Sequence, residues 1–321
     1  ETGDADVLKI EEQPLREPGE GEVRIEVAAI GLNRAEVMFR RGQYLEQPQF
    51  PSRLGYEASG VIDALGPGVE GFSVGDRVST IPAFSMVQYG VYGESAIVPA
   101  HALAAYPENL SAEEGTSIWM QYMTAYGALV DYGQLKEGDA VLIPAASSSV
   151  GLAAIQITKA AKATAIATTR GAGKKQALLD AGADHVIVTD EENLAERVMA
   201  ITDGHGANLV FDPVAGPTLT ALAQATARGG IIFVYGALAP APTPYPLMEA
   251  LGKGLKIQGY TLFEITSDPA RMARAKQFVY DGLAAGDLKP IVACTFALDD
   301  IVEAHRYMES NQQIGKIVVL T

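Results

Sequence analysis

Between Ala140 and Tyr260, short apolar runs alternate with stretches of helical composition, and no other feature constrains the fold as tightly. The runs are AVLIPA, TAIATT, HVIVT, NLVFDPV, GIIFVYG and LKIQGY. Leu152–Ala161, Lys174–Ala181, Asn193–Ile201 and Thr218–Ala227, each with helical spacing, separate the first five. Alternation of this kind predicts an α/β architecture, a doubly wound parallel sheet with helices on both faces.

The first third reads differently. EVRIEVAAIGLN (Glu22 to Asn33) alternates polar and apolar residues with β-branched side chains, as a half-buried strand does. ASGVIDALGPGVEGFSVGDRV (Ala58 to Val78) is a set of short apolar runs broken by Gly, Pro and Asp. YGESAIVPA adds a strand stopped by proline, and together these predict a compact, irregular β-domain. Ser111 followed by Glu114 is a capping-box signal for a helix start. Ile291 to Thr321 returns to mixed strand and helix and is expected to rejoin the first domain. A chain of 321 residues is long for one core, so two domains are expected.

Charge and cysteine content narrow the partners. A net charge of −15 argues against nucleic acid and anionic membranes, which need a basic surface. The single Cys294 allows no intramolecular disulfide and no cysteine-rich zinc lobe, which fits a reducing compartment. The chain shows no basic-then-apolar leader and no long uninterrupted apolar run, so a soluble, cytoplasmic protein is expected.

The stretch PAASSSVGLAAIQ (Pro144 to Gln156) follows one of the strand runs and opens a helix. In the dinucleotide frame G-x-G-x-x-G, its Ala146, Ser148 and Gly151 take the glycine positions. Small residues let backbone N–H groups approach a pyrophosphate at the helix N-terminus, and the last glycine permits close helix–strand packing. Ser147, Ser148 and Ser149 add hydroxyl donors beside Val150. Taken alone, the pattern fits a plain structural turn as well as a phosphate cradle. Thr169 ends the next strand run, and Arg170, Lys174 and Lys175 follow with no acid at the strand tip. An acid there binds the ribose 2′-hydroxyl of NAD, whereas basic residues accept a 2′-phosphate. Cations at a helix start oppose its dipole, and a bound phosphate removes the conflict. Two charge-assisted contacts of about 1.5–3 kcal/mol each would favour NADPH over NADH by about a hundredfold or more. NADPH is the expected cofactor.

With these residues in hand, the chain resembles the zinc-free quinone oxidoreductase branch of the medium-chain dehydrogenase/reductase (alcohol dehydrogenase-like) superfamily. The resemblance covers essentially the whole length. It is carried by EVRIEVAAIGLNRAEVMFRRGQY, LGYEASGVIDALGPGVEGFSVGDRV, MTAYGAL, AASSSVGLAAIQ, VFDPVAG and NQQIGKIVVL. It implies a GroES-like β-rich catalytic domain and an inserted Rossmann domain, with the active site in the cleft between them. The expected division is 1–120 and 263–321 for the GroES-like domain and 121–262 for the NADP(H)-binding domain.

Where zinc-dependent relatives place a Cys, a His and a second Cys on catalytic zinc, this chain has Asn33, Tyr56 and Met120. The four-Cys structural lobe expected after GDRV is absent. Amide, phenol and thioether do not make a three-ligand zinc site, so no metal is expected. Without a Lewis acid nothing obvious stabilises an alkoxide, whereas conjugation spreads charge when hydride adds to a quinone or an activated alkene. The implied activity is NADPH-dependent reduction of a quinone or α,β-unsaturated carbonyl. The alternatives are an enoyl-thioester reductase, another alcohol dehydrogenase-like enzyme, or an NADPH-binding structural or sensor protein with little turnover.

The resemblance also assigns roles to single residues. Asn33 would contact the nicotinamide ribose. Tyr44 and Tyr56 are candidate proton donors to the substrate oxygen, since a phenol is protonated at neutral pH. The plainer alternative is a packed tyrosine, with solvent supplying the proton. Thr124 would lie near the diphosphate or nicotinamide. Val214 with Ala215, and Tyr235 with Gly236, would end the fourth and fifth Rossmann strands. Leu262 and Phe263 would line the nicotinamide side, with Lys316 nearby. Thr189 stands where many relatives stack a tyrosine on adenine. A homodimer through the last Rossmann strands is implied as well. Of the remaining residues, His101, His185, His205 and His305 are expected in turns or on the surface, and Cys294 as a small buried apolar residue. Phe84, Met86, Tyr89 and Tyr92 either line a pocket or pack locally.

Overall fold

The computed structural model describes residues 1–321 and divides into two compact units, Glu1–Met120 with Pro290–Thr321, and Gln121–Lys289. In chain order the first unit opens with β1 (Glu22–Gly31), α1 (Arg34–Arg40), β2 (Glu57–Leu65), β3 (Arg77–Thr80), β4 (Ser95–Pro99), β5 (Leu103–Ala105) and α2 (Ala112–Gly115). Helix α3 (Trp119–Tyr126) carries the chain across the boundary. The second unit contains β6 (Ala140–Ile143), α4 (Ser149–Ala160), β7 (Thr164–Thr169), α5 (Lys175–Asp180), β8 (His185–Val188), α6 (Leu194–Ile201) and β9 (Ala207–Asp212). It continues through α7 (Thr218–Ala225), β10 (Thr226–Val234), α8 (Leu247–Lys253), β11 (Lys256–Gly259), α9 (Phe263–Thr266) and α10 (Pro269–Ala285). Strand β12 (Val292–Ala297), α11 (Ile301–Ser310) and β13 (Lys316–Leu320) complete the first unit.

In the first unit β1 is the hub, antiparallel to β2, β4 and β13. Its Val23, Ile25 and Val27 are buried while Glu26 and Ala28 face outward, the two-residue period of a strand with one covered side. The capping box at Ser111 is formed as expected, with the Glu114 N–H donating to the Ser111 hydroxyl and the Ser111 N–H to the Glu114 carboxylate. The helix it starts is only one turn, ending at Gly115, whose missing side chain leaves room for the Tyr106 ring.

The second unit holds a six-stranded sheet in the order β11-β10-β9-β6-β7-β8, every pairing parallel. Leu142 pairs with Ile166 on one side and Val210 on the other, and both sit in a core with Ile187, Val198, Leu219, Leu222 and Ile232. Each such side chain contributes about 1.5–3 kcal/mol when fully withdrawn from water. The order reverses direction at β6, so the β6–α4 turn lies at the switch point where open α/β sheets bind ligands. The architecture is the expected combination of a Rossmann-type sheet in one unit and a β-rich GroES-like fold in the other.

Residues 263–289, expected with the first domain, group instead with the second unit. Polar and aromatic contacts hold them there. The Tyr132 hydroxyl donates to the Glu264 carboxylate at 2.6 Å, Arg271 Nε donates to Asp131 at 3.1 Å, and the Phe278 and Tyr126 rings lie 4.9 Å apart. The segment from Pro290 onward rejoins the first unit through β13, as the sequence suggested. Two further expectations are corrected. His305 is buried on α11 rather than at the surface, and Cys294 is half-exposed on the edge strand β12 rather than buried. No helix is long and apolar enough to cross a membrane.

Candidate functional site

The turn after β6 is built for close backbone approach. Ser148 is the N-cap of α4, and its hydroxyl accepts the Gly151 N–H at 3.0 Å. A Cβ on Gly151 would come within 2.6 Å of the Ala146 Cα and carbonyl oxygen, so only glycine lets the helix sit this close to the turn. Ser147, Ser149 and Val150 are half-buried around it. Lys174, in the N-cap position of α5, extends back so that its ammonium donates to the Ser147 hydroxyl at 3.0 Å. Arg170, on the strand-to-helix turn, is exposed. Burial, and then the neighbouring Arg170 charge, lower the Lys174 pKa. Two cations therefore lie close enough to repel one another at a helix start whose dipole also opposes them, a local charge that an anion would neutralise. Thr169 bonds to the Gly171 carbonyl on the same turn, and Thr189 lies beside it with a hydroxyl 3.4 Å from the Thr169 carbonyl.

The ends of β9 and β10 complete this side of the unit. Asp212 is fully buried and its carboxylate accepts the N–H groups of Val214 and Ala215 at 2.8 and 3.0 Å. Gly236 packs against Pro213 so closely that a Cβ would meet the Pro213 carbonyl at 2.6 Å. The Tyr235 ring stacks on Phe211, centroids 4.0 Å apart, with its hydroxyl turned inward toward Ser148. Thr124 is buried on α3, Leu262 is buried just before α9, and Phe263 is half-buried at its first turn. The residues that bind an NADPH phosphate must offer amides, hydroxyls and cations, and the β6–α4 and β7–α5 turns supply all three.

The first unit carries a second polar cluster, and most of its members escaped the sequence reading. The Glu36 carboxylate accepts from the Asn33 N–H at 2.6 Å, the Tyr56 N–H at 3.2 Å and the Tyr92 hydroxyl at 2.8 Å. Arg40 can only donate, so His305 Nδ1, 2.9 Å away, accepts; Nε2 then carries the proton and donates to Tyr92 at 3.0 Å. Arg40 also pairs with Glu309 at 2.8 Å. On the other side, Lys316 donates to Asn33 Oδ1 at 2.6 Å and pairs with Glu57, which also accepts the Met120 N–H at 2.8 Å and Asn33 Nδ2 at 3.2 Å. Glu36, Glu57, Lys316 and His305 are all buried. Burial pushes the Glu36 carboxyl up to about 7 despite its hydrogen bonds, and burial beside Arg40 lowers His305 to about 3.

This arrangement bears on two expected cofactor contacts. Lys316 is not an open cation but the internal counter-ion of Glu57, and the Asn33 amide is already engaged by Lys316, Gly31 and Glu57. It also bears on metal binding. The Asn33, Tyr56 and Met120 side chains offer no thiolate, imidazole or carboxylate, and Lys316 already provides the positive charge. Nowhere in the chain do three His, Cys, Asp or Glu side chains converge as metal ligands. The donor set does not fit zinc.

Of the two candidate donors, Tyr56 is fully buried, its ring 5.7 Å from Phe84 and 6.4 Å from Tyr44, with its hydroxyl directed at Tyr44. Tyr44 is only partly covered, and burial raises its pKa further. Only Tyr44 has exposed surface with which to meet a substrate. Phe84 and Met86 are packing residues, Tyr89 donates to Glu22, and Tyr92 belongs to the Glu36 chain. The pattern N-x-x-E at Asn33 could have signalled Glu36 as a helix-start residue.

Comparison with known proteins agrees with this division. Residues 19–108 match the family described as alcohol dehydrogenase GroES-like domain, and residues 149–278 match the family described as zinc-binding dehydrogenase. A 2-haloacrylate reductase from Burkholderia sp is 31% identical over 324 residues, covering 99% of this chain and 96% of the relative. A quinone oxidoreductase from Homo sapiens is 30% identical, covering 100% of this chain and 95% of the relative. Among solved structures, the Escherichia coli quinone oxidoreductase complexed with NADPH superposes with a TM-score of 0.93 at 30% identity, covering 100% of this chain and 98% of that one. The chain is an oxidoreductase that belongs to the quinone oxidoreductase group of the medium-chain dehydrogenase/reductase superfamily.

Proposed function

We propose that this protein is a metal-independent, NADPH-dependent reductase of quinones or α,β-unsaturated carbonyl compounds. The observation that carries the reading is the pair of neighbouring cations, Arg170 and Lys174, with Lys174 bonded to Ser147 of the β6–α4 turn. The turn amides and Ser148–Gly151 receive the pyrophosphate, and the two cations receive the 2′-phosphate. The E. coli quinone oxidoreductase that this chain resembles was solved with NADPH. When bound, the dihydronicotinamide supplies a hydride. The protein holds the acceptor, excludes water and offers a proton from Tyr44, whose raised pKa keeps it protonated at neutral pH. Leu262 and Phe263 provide the apolar wall on the nicotinamide side.

A reductase of enoyl thioesters is the second reading, favoured by likeness to the CurK enoyl reductase at a TM-score of 0.88 and 25% identity. A conjugated acceptor is common to both readings, and the similarity to a 2-haloacrylate reductase points the same way. We also infer a homodimer. Strand β11 is a sheet edge, and Leu247, Met248 and Leu251 on the adjoining α8 are exposed.

The experiment is NADPH oxidation in the presence of a chelator, against quinones, enones and an enoyl thioester, with NADH alongside. Chelator-resistant turnover specific to NADPH is expected. Tight NADPH binding with no turnover on any acceptor would leave a binding protein, and loss of turnover on chelation would restore a metal.

A further inference from the structure

Helix α3 does not end where its α-helical hydrogen bonds do. It runs on as one π-helical turn, Gly127–Tyr132, in which the Gly133 N–H reaches back to the Ala128 carbonyl at 2.9 Å. Such widened turns re-aim the side chains they carry, and the last two carried here are Asp131 and Tyr132. Gly127 permits a close approach to the segment after β11. A side chain there would overlap the Tyr260 hydroxyl and come within 2.6 Å of Ile265.

Asp131 and Tyr132 meet a compact polar cluster around that same segment. The Tyr132 hydroxyl donates to Glu264 at 2.6 Å and accepts from Arg271 at 3.1 Å, and the guanidinium lies 4.5 Å from the Tyr132 ring centroid. Arg271 also pairs with Asp131 and donates to the Glu264 carbonyl at 3.0 Å. The second Glu264 oxygen accepts the Thr261 N–H at 3.1 Å. Leu262 and Phe263 lie between Thr261 and Glu264, so one end of that short stretch is tied to the π-helical turn through Glu264 and the other end is tied to the Glu264 carboxylate.

We propose that Tyr132, Glu264 and Arg271 form a latch that positions Leu262 and Phe263 for hydride transfer, making them positioning residues. The proposal rests on the reading that Leu262 and Phe263 wall the nicotinamide. Reaction geometry tolerates little displacement, so the latch acts on the chemical step more than on affinity. Glu264 is the joint, since it alone contacts Tyr132, Thr261 and, through its carbonyl, Arg271.

The test compares wild type with Tyr132→Phe, which keeps the ring and removes one hydroxyl. Turnover, KM for NADPH, thermal midpoint and transfer from NADPH deuterated on one face of C4 are the readouts. We expect kcat to fall about tenfold, KM for NADPH to stay within about twofold and facial selectivity of deuterium transfer to decline, with the thermal midpoint nearly unchanged. Arg271→Lys, which retains the charge but not the fork, should lie between wild type and Arg271→Met. A folded Tyr132→Phe protein with unchanged kcat and unchanged deuterium selectivity overturns the latch, and so does a lowered midpoint with intact turnover. If wild type fails to quench or enhance NADPH fluorescence on titration, the cofactor reading falls and takes the latch with it.

Discussion

The two units treat charge in opposite ways. Around Asn33 the first unit buries two carboxylates, an ammonium, a guanidinium and an imidazole, and each is answered by a partner within the same unit. The turns after β6 and β7 in the second unit instead hold Arg170 and Lys174 next to each other at the start of a helix. Buried charge that is internally satisfied fixes a conformation, whereas cations gathered against their own repulsion mark a place for an anion. On the proposed reading, the contrast explains why the same residue type, lysine, is structural at position 316 and a phosphate contact at position 174.

The sharpest way to break the comparison is to remove the ammonium from the closed cluster. Lys316→Met leaves Glu57 buried without its counter-ion and should cost about 3–5 kcal/mol in chemical denaturation. Neutralising both partners, with Glu57→Gln added, should recover much of that loss; no recovery would mean the pair is not coupled.

The next effect concerns Glu36, whose folded-state pKa of about 7 lies above its ordinary value of 4.5. The folded chain holds that proton more tightly, so the contribution is fully present below pH 4.5 and is lost as pH rises through 7. The size is about 3 kcal/mol by linkage. His305 acts with the opposite sign, its neutral form favoured above pH 6.5 and its contribution lost as pH falls through 3. The two windows overlap between pH 4.5 and 6.5, where the opposing slopes largely cancel, so Glu36→Gln should turn that flat part of the stability profile into one that rises with pH. An unaltered profile would mean that Glu36 is ionised in both states.

In the open cluster, Arg170→Ala with Lys174→Ala should weaken NADPH binding about a hundredfold and leave NADH binding nearly unchanged. Equal losses for the two cofactors would remove the 2′-phosphate assignment. The smallest effect is assigned to Tyr44→Phe, a drop in kcat of about tenfold with NADPH affinity retained. Unchanged turnover would transfer proton donation to water.

The open cluster was legible in the sequence and the closed one was not, for a physical reason. Ser147 to Gly151 and Arg170 to Lys174 are local patterns at the ends of consecutive strands, where chain order predicts neighbourhood. Lys316 and Glu57 are 259 residues apart and Arg40 and His305 are 265 apart, so nothing in the order of residues announces either contact. His305 reads as a turn or surface histidine in the sequence, and only α11 places it against Tyr92. Residues 263–289 followed the same rule, since their attachment depends on Asp131 and Tyr132 being turned outward by an irregular helix that composition does not reveal.

One consequence of the first unit's discontinuity concerns the order in which the protein can be made. The second unit is one uninterrupted stretch, Gln121–Lys289, and can close its sheet as soon as it has emerged from the ribosome. The first unit cannot. Its hub strand β1 waits for β13, and Glu57 waits for Lys316, so a nascent chain carries an unneutralised carboxylate in an unfinished sheet until β13 has been added. Synthesis thus runs from a half-built unit, through a complete one, back to the first, and β13 acts as the keystone.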